Sequence, residues 1–120
     1  MLGSEGCDMY TIGLDSGTLS VRAVLVDARD GAEIAESVFD YPHGVMDEQL
    51  PSGLKLAPDW ALQHPQDYLD VFAHTVPAVL KQSGVAPGDI KGIGIDFTAS
   101  SPMPTTYDGA PVCCLEELKG

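Results

Sequence analysis

In the first part of the chain, apolar and polar residues alternate with the period of two that is typical of β-strands. Three segments show this pattern, 10–15, Ser20–Asp27 and 33–41, and short turns separate them. Short turns join antiparallel neighbours, so the pattern predicts a three-stranded antiparallel meander. Apolar residues on both faces of Ser20–Asp27 predict a strand buried on both sides, and the irregular alternation in 33–41 predicts an edge strand.

The hydrophobic spacing changes to three and four residues after Pro65, which predicts an amphipathic helix over 66–82 lying on the sheet. Pro65 suits the first helical position, and Gly84 suits the end of the helix. Pro77 lies inside the pattern and costs about 3 kcal/mol in a helix interior, so we expect a kink or break near Ala73. The predicted apolar stripe consists of Leu69, Phe72, Val76, Val79 and Leu80.

The segment Ile90–Asp96 predicts a fourth, buried strand, with Ile93 and Ile95 on one face and Gly92 and Gly94 on the other. A helix precedes this strand, so we expect it to run parallel to the first strand.

The segment 42–65 is a long connection that is rich in proline and glycine. Loops of this length in a compact domain are usually functional or locally packed. It contains His43 and His64, with acidic residues nearby, but their spacing matches no metal-ligand pattern. We therefore assign no metal site to these histidines.

The last part of the chain predicts a hairpin. An Asp-Gly pair at 108–109, which is a strong turn signal, lies between the apolar segments 103–107 and 111–115. Cys113 and Cys114 belong to the second arm, where we expect them to be apolar strand residues and not a disulfide or a zinc site.

Composition narrows the class of protein. The chain has 120 residues, which suits one domain with a modest core. Its formal net charge of -12 argues against binding nucleic acid or an anionic membrane through a basic surface. No signal peptide or membrane span is visible, so we expect a location in the reducing cytoplasm. Residues 1–9 are predicted to be a disordered N-terminal end.

Candidate chemistry lies in the turn after the first segment. Asp15 ends an apolar run, and the small residues Ser16, Gly17 and Thr18 follow it. Glycine tolerates a positive φ and lets a ligand approach the backbone. Exposed amides in such a turn can face phosphate oxygens, and a nearby carboxylate can hold Mg²⁺ directly or through water. The alternative for the turn alone is an ordinary hairpin with a solvated Asp15.

The stretch Asp15-Ser16-Gly17-Thr18-Leu19-Ser20-Val21-Arg22 resembles the first phosphate motif, Asp-x-Gly-Thr-x-x-x-Arg, of the FGGY carbohydrate kinases. Segments 60–68 and 92–100 also resemble this family, and they favour its branch that acts on a ketopentose, L-ribulose above all. The resemblance covers almost the whole chain from Tyr10 onward. It implies an α/β, ribonuclease-H-like half-domain of the actin and hexokinase superfamily. This half-domain is truncated, with a mixed sheet of strand order 3-2-1-4 and a helix on one face.

The same resemblance implies ATP and Mg²⁺ as cofactors. The residues it assigns to the cofactors are Asp15, Gly17, Thr18 and Arg22, with Asp15 acting on the metal. The residues it assigns to the border of the sugar pocket are Asp96, Thr98 and Ala99. The alternative for Arg22 is a surface ion pair, and the alternative for Asp96 is a cap of the loop that follows its strand. The family's catalytic base and adenine pocket match nothing in this chain.

Residues 10–120 are accordingly expected to be an incomplete N-terminal portion of the kinase's first domain, inactive alone. The implied partners are a sugar, ATP and the remainder of the kinase chain. Nucleic acid and membrane are not expected partners. The oligomeric state stays open, and a homo-oligomer is one of the possibilities. The alternative is a non-catalytic module of the actin-like superfamily that binds nucleotide or another protein.

Overall fold

The computed structural model describes residues 7–99 and 101–118. The strands are β1 (Tyr10–Ser16), β2 (Ser20–Asp27), β3 (Glu33–Asp40), β4 (Val45–Met46), β5 (Leu62–Gln63) and β6 (Ile90–Asp96). One α-helix, α1 (Pro65–Ser83), lies between β5 and β6, and short 3-10 turns occupy Pro87–Asp89, Val112–Cys114 and Glu116–Leu118.

Four strands form one mixed sheet in the order β3-β2-β1-β6. The pairs β1–β2 and β2–β3 are antiparallel, whereas β1 and β6 are parallel. The predicted order 3-2-1-4 is therefore confirmed, with Ile90–Asp96 as the fourth strand of the prediction and β3 at the sheet edge. The sequence did not predict β4 and β5, which pair as a separate antiparallel ribbon inside the long connection.

The core lies between the sheet and α1. Its buried strand residues are Ile12, Leu14, Val21, Ala23 and Leu25. From the helix, Val71 and Val79 are fully buried against them, and each such side chain contributes about 1.5–3 kcal/mol of burial free energy. Thr75 lies between the two valines along the helix and is also buried, and its hydroxyl donates to the Val71 carbonyl at 2.6 Å.

The predicted apolar stripe of α1 is confirmed except at Leu69, which is 56% exposed. Val79 is buried, Phe72, Val76 and Leu80 pack against the core, and the inward face is centred on the buried Val71, Thr75 and Val79. The helix is continuous through Pro77, so the expected break is wrong, and a kink near Ala73 stays a prediction.

The two ends of α1 are capped as the sequence predicts. Pro65 occupies the first turn, and the His64 side chain accepts a hydrogen bond from the Gln66 amide at 3.2 Å. At the other end, Gly84 has a φ of 70° and its N–H donates to the Leu80 carbonyl. A left-handed residue at this position favours glycine.

The prediction that β6 is buried is wrong for this chain, since Ile93 is 50% exposed and Ile95 is 45% exposed. The helix packs on β2 and β3, so the face that these isoleucines share is uncovered beyond β1. Strand β2 is likewise buried on one face only, because Arg22 on its other face is exposed and Val24 and Val26 there are half-buried.

The predicted hairpin is present in a short form, in which the Thr106 and Val112 amides donate across it to the Ala110 and Pro104 carbonyls. Gly109 has a φ of 90° and donates to the Thr106 carbonyl, and Thr105 and Pro111 form a single antiparallel bridge. Neither arm is a β-strand, because the prolines in the two arms have no N–H to donate to a strand ladder. In the second arm, Val112–Cys114 is a 3-10 turn. The expectation that Cys113 and Cys114 are strand residues is therefore wrong.

Residues 1–6 of the predicted disordered end lie outside the described residues. Of the rest, Met9 accepts a hydrogen bond from the Ala28 amide, and Asp8 forms an ion pair with Arg29 at 3.3 Å. The boundary at residue 10 stays a prediction. In the described part of the chain, no helix has the length and apolar character needed to cross a membrane.

Candidate functional site

The turn between β1 and β2 is closed by a hydrogen bond from the Gly17 amide to the Ser20 carbonyl at 2.9 Å. The glycine is needed here for space and not for a left-handed backbone, because its φ is not among the positive values of this chain. A Cβ at Gly17 would lie 3.3 Å from the Ser20 carbonyl oxygen, which is tighter than an ordinary contact. The expected use of a positive φ is thus corrected.

Three successive carbonyl groups of this turn accept hydrogen bonds from residues of later elements. The Tyr41 hydroxyl donates to the Gly17 carbonyl at 3.0 Å, and the Tyr41 amide donates to the Leu19 carbonyl at 2.9 Å. Between them, the Gln63 side-chain amide donates to the Thr18 carbonyl at 2.9 Å. Sequence reasoning missed both donors, because no local pattern links them to the turn.

The fixed carbonyl groups determine where the turn's amides point. In a trans peptide the N–H points opposite to the C=O of the same unit. The N–H groups of Thr18 and Leu19 therefore point away from Tyr41 and Gln63. Among residues 7–99 and 101–118, neither amide donates a hydrogen bond, so both are available to an anion such as a phosphate group.

Two carboxylates lie beside this turn. Asp15 on β1 and Asp96 on β6 are direct neighbours in the parallel register, and both side chains lie on the sheet face opposite to α1. Both residues are exposed, and in the described part of the chain neither takes part in a hydrogen bond or salt bridge. The arrangement places two free oxygen ligands at the carboxyl ends of adjacent parallel strands.

Arg22 lies opposite Asp15 in the antiparallel register, but its guanidinium group is turned toward β3. Its Nε donates to a Glu36 carboxylate oxygen at 2.9 Å, its Nη2 contacts the same oxygen, and Glu33 lies 3.9 Å away. The hydrogen bond with Glu36 raises the pKa of Arg22. The structure thus places this predicted phosphate-site residue next to the turn without directing it into the turn.

An open cavity of about 1480 Å³ lies on the other side of the turn. Thr18 from the turn and Thr98 and Ala99 from the end of β6 line it together, as do Gln63 and Tyr68. Three of the predicted site residues therefore meet around one space. Asp96 is not part of this lining and lies with Asp15.

A cluster of His43, His64 and Asp67 lies near the start of α1, with ligand atoms within 4.8 Å of one another. The two imidazole rings stack at 4.2 Å, and in parallel rings the nitrogen lone pairs do not converge on one ion. The Nδ1 atom of each ring is already used, by Asp67 for His43 and by the Gln66 amide for His64. Burial, and then the neighbouring His43, hold the pKa of His64 below its usual range. The cluster therefore joins the 42–65 connection to α1 through hydrogen bonds.

Comparison with known proteins gives one family. Residues 10–105 match the model of the N-terminal domain of the FGGY family of carbohydrate kinases. A ribulokinase of Geobacillus thermodenitrificans is 58% identical over 111 residues, which cover 92% of this chain and 20% of that protein. A ribulokinase of Anoxybacillus flavithermus is also 58% identical over the same shares, and one of Mycolicibacterium smegmatis is 44% identical over 94% of this chain.

The chain spans about a fifth of the length of these relatives. The matched residues contain the turn after β1, the sheet, the helix and the end of β6. Its mixed sheet and helix form part of the actin- and hexokinase-like fold of this family. The chain belongs to the FGGY family of carbohydrate kinases, to whose N-terminal domain residues 10–105 correspond.

Proposed function

We propose that the complete protein containing this chain transfers the γ-phosphate of ATP to a hydroxyl group of L-ribulose, giving L-ribulose 5-phosphate and ADP. The sugar oxygen forms the new bond to phosphorus, the bond between the γ-phosphorus and the bridging oxygen breaks, and the hydroxyl proton passes to a base. No residue of this chain is assigned as that base. The ribulokinase relatives support the choice of sugar.

The observation that carries this proposal is the meeting of two segments at one cavity. Thr18 from the turn and Thr98 and Ala99 from the end of β6 line the same cavity. The free backbone amides of the turn lie beside this cavity and point away from Gln63 in its wall. Ligands of open α/β sheets bind at the carboxyl ends of parallel strands, where this cavity lies. We assign the phosphate groups to the turn and the sugar to the wall formed by Thr98 and Ala99.

The carboxylates fit a magnesium ion. Asp15 and Asp96 are neighbouring, exposed oxygen donors without hydrogen-bonded partners in the described residues, and Mg²⁺ prefers carboxylate oxygens and water. In this proposal Asp15 holds the ion, directly or through water, and Asp96 lies next to it. When bound, the ion offsets negative charge on the phosphate oxygens. Glu36 holds the Arg22 guanidinium, so Arg22 forms no salt bridge with Asp15 in the described residues, although the Asp15 charge helps to raise the pKa of Arg22.

The remaining parts of the enzyme would pack on this chain. The apolar side chains Ile93 and Ile95 of β6 are about half-exposed, and Phe97 beyond it is 57% exposed. We propose that the remainder of the kinase chain covers this edge of the sheet and supplies the base and the adenine pocket. The cysteines are free thiols, which suits the reducing cytoplasm where we place the protein.

The test is sugar-dependent formation of ADP by the complete protein, measured with L-ribulose, D-xylulose and glycerol in parallel. We expect the highest kcat/KM with L-ribulose. The 120-residue chain, assayed beside it, should give no turnover. ATP hydrolysis that no sugar stimulates would reject the kinase and favour the nucleotide-binding module. Turnover by the 120-residue chain would reject the proposal that the remainder of the kinase chain supplies the base and the adenine pocket.

A further inference from the structure

We propose that Gln63 and Tyr68 form a positioning pair that fixes the turn after β1 in its anion-binding orientation. The inference rests on the proposed function of that turn and extends it to two residues of the long connection and of α1. Neither residue is assigned a contact with the reacting atoms.

The Gln63 side chain is held at both of its polar atoms. Its Nε2 donates to the Thr18 carbonyl at 2.9 Å, and its Oε1 accepts from the Tyr68 hydroxyl at 2.6 Å. If the amide turned over, its oxygen would face the Thr18 carbonyl oxygen, and the two acceptors would repel each other. The Thr18 carbonyl, which can only accept, therefore selects the amide orientation, and the Tyr68 hydroxyl holds the Gln63 side chain in that orientation by donating to its Oε1.

The backbone places Gln63 within reach of the turn. Gln63 lies in β5, where it pairs with Val45 of β4, and it directly precedes His64, which caps α1. Tyr68 belongs to the first part of that helix. The ribbon and the helix thus hold the two residues from different directions, and their contact does not depend on the turn.

A second tyrosine supports the same turn. The Tyr41 ring packs on the Tyr68 ring with 5.2 Å between centroids, and the Tyr41 hydroxyl donates to the Gly17 carbonyl. Burial raises the pKa of Tyr41, so this hydroxyl stays a donor at neutral pH. Tyr41 therefore binds the Gly17 carbonyl directly, and Tyr68 supports the adjacent Thr18 carbonyl through Gln63.

The consequence for binding is preorganisation. The Gln63 bond orients the peptide unit that carries the Leu19 amide, and the Tyr41 bond orients the unit that carries the Thr18 amide. Donors that already point at the site lose little conformational freedom when an anion binds. Removing the Gln63 bond should allow the Thr18–Leu19 peptide to rotate, and phosphate binding should then weaken more than sugar binding.

The experiment compares Gln63→Met with Gln66→Met in the complete protein. Both variants lose a side-chain amide donor, but Gln66 donates to Asp70 on the helix and does not touch the turn. We expect Gln63→Met to lower kcat/KM for ATP by about tenfold or more, with sugar affinity measured without nucleotide changing less than about twofold. The control should stay within about twofold for both quantities.

Hydrogen exchange provides a readout that needs no turnover. The Gly17 amide, whose hydrogen bond to the Ser20 carbonyl closes the turn, should exchange faster in Gln63→Met than in the wild type, with no change in Gln66→Met. Tyr68→Phe keeps the Gln63 donor but leaves its oxygen unpaired, so this variant should show a smaller change in the same direction. It also serves as the test if Gln63→Met does not fold.

The outcomes separate the two proposals. A wild-type protein without sugar-dependent ADP formation rejects the proposed function, whereas unchanged turn exchange in Gln63→Met and Tyr68→Phe rejects the positioning pair. An active wild type in which Gln63→Met matches Gln66→Met for ATP rejects the pair alone. Equal losses for ATP and sugar would also reject it, since Gln63 would then be a contact of the sugar cavity.

Discussion

The buried carboxylate of Asp67 binds His43 through two atoms. It accepts a hydrogen bond from the His43 backbone amide at 3.0 Å, and its other oxygen lies 2.6 Å from His43 Nδ1. Asp67 is 2% exposed and belongs to the first turn of α1, whereas His43 belongs to the connection after β3. The pair therefore ties the start of the long connection to the helix that ends it.

Removing this carboxylate should destabilise the protein. Asp67→Ala removes both hydrogen bonds to His43, and each intramolecular hydrogen bond contributes about 0.5–1.5 kcal/mol to stability. We expect a clear fall in the midpoint of thermal unfolding. Asp70→Ala is the matched control, since Asp70 accepts only from the Gln66 side chain at the surface and its loss should cost less than about 0.5 kcal/mol. Equal melting points for the two variants would contradict the structural role of Asp67.

The space available at Gly17 gives a second prediction. In Gly17→Ala the added Cβ would lie 3.3 Å from the Ser20 carbonyl oxygen, so this carbonyl must shift by a few tenths of an ångström and its bond with the Gly17 amide is disturbed. We expect KM for ATP to rise by about threefold to tenfold while the sugar KM is unchanged. Gly88→Ala is the control, because a Cβ there meets nothing within 4 Å and its φ is not positive. A Gly17→Ala enzyme with a normal KM for ATP would show that the turn tolerates the added methyl group.

Asp27 gives a prediction about pH. Its carboxylate accepts hydrogen bonds from the side chain and the backbone amide of Arg29, which lower its pKa from 3.8 to about 2. In the unfolded chain Asp27 binds a proton at a higher pH than in the folded protein. The stability that this group contributes is therefore present above about pH 4 and is lost as the pH falls toward 2.

The measurement is the free energy of unfolding between pH 5 and pH 2 for the wild type and Asp27→Asn. The asparagine does not titrate, so the difference in stability between the two proteins should shrink as the pH falls. If the difference in the free energy of unfolding between the wild type and Asp27→Asn does not change with pH, the hydrogen bonds from Arg29 do not lower the pKa of Asp27.

The strands of the sheet could be predicted because the pattern that indicates each strand lies within a short stretch of sequence. Alternation within each strand and the helix between β5 and β6 were enough to order the sheet and to make β6 parallel to β1. The burial of β6 was not predictable, because it depends on where α1 packs. The helix lies on β2 and β3, and Ile93 and Ile95 are left half-exposed.

The candidate site was predictable only in part. The motif from Asp15 to Thr18 and the end of β6 are short stretches with recognisable chemistry. The contacts of Tyr41 and Gln63 with the turn join residues that are distant in sequence, so no spacing reveals them. A surface ion pair was the alternative considered for Arg22, but no local pattern identified Glu36 of the next strand as its partner.

Asp15 provides the sharpest test of the proposed chemistry. It is an exposed carboxylate at the end of β1, and no hydrogen bond in the described residues occupies it. Asp15→Asn keeps the shape of the side chain and removes the charge that would hold Mg²⁺. We expect kcat to fall by at least about a hundredfold, which corresponds to about 3 kcal/mol of transition-state stabilisation.

Sugar affinity should change little in Asp15→Asn, since Thr98 and Ala99 at the cavity wall are untouched. The measurement is steady-state kinetics of the complete protein at saturating ATP and Mg²⁺, with a thermal melt to establish folding. Asp40→Asn, an exposed carboxylate at the end of β3, is the matched control and should keep normal turnover. If Asp15→Asn folds and turns over normally, the carboxylate is only part of the turn and the metal must be held elsewhere. If magnesium dependence also shifts to higher concentration in Asp15→Asn and not in Asp40→Asn, the loss is assigned to the cation.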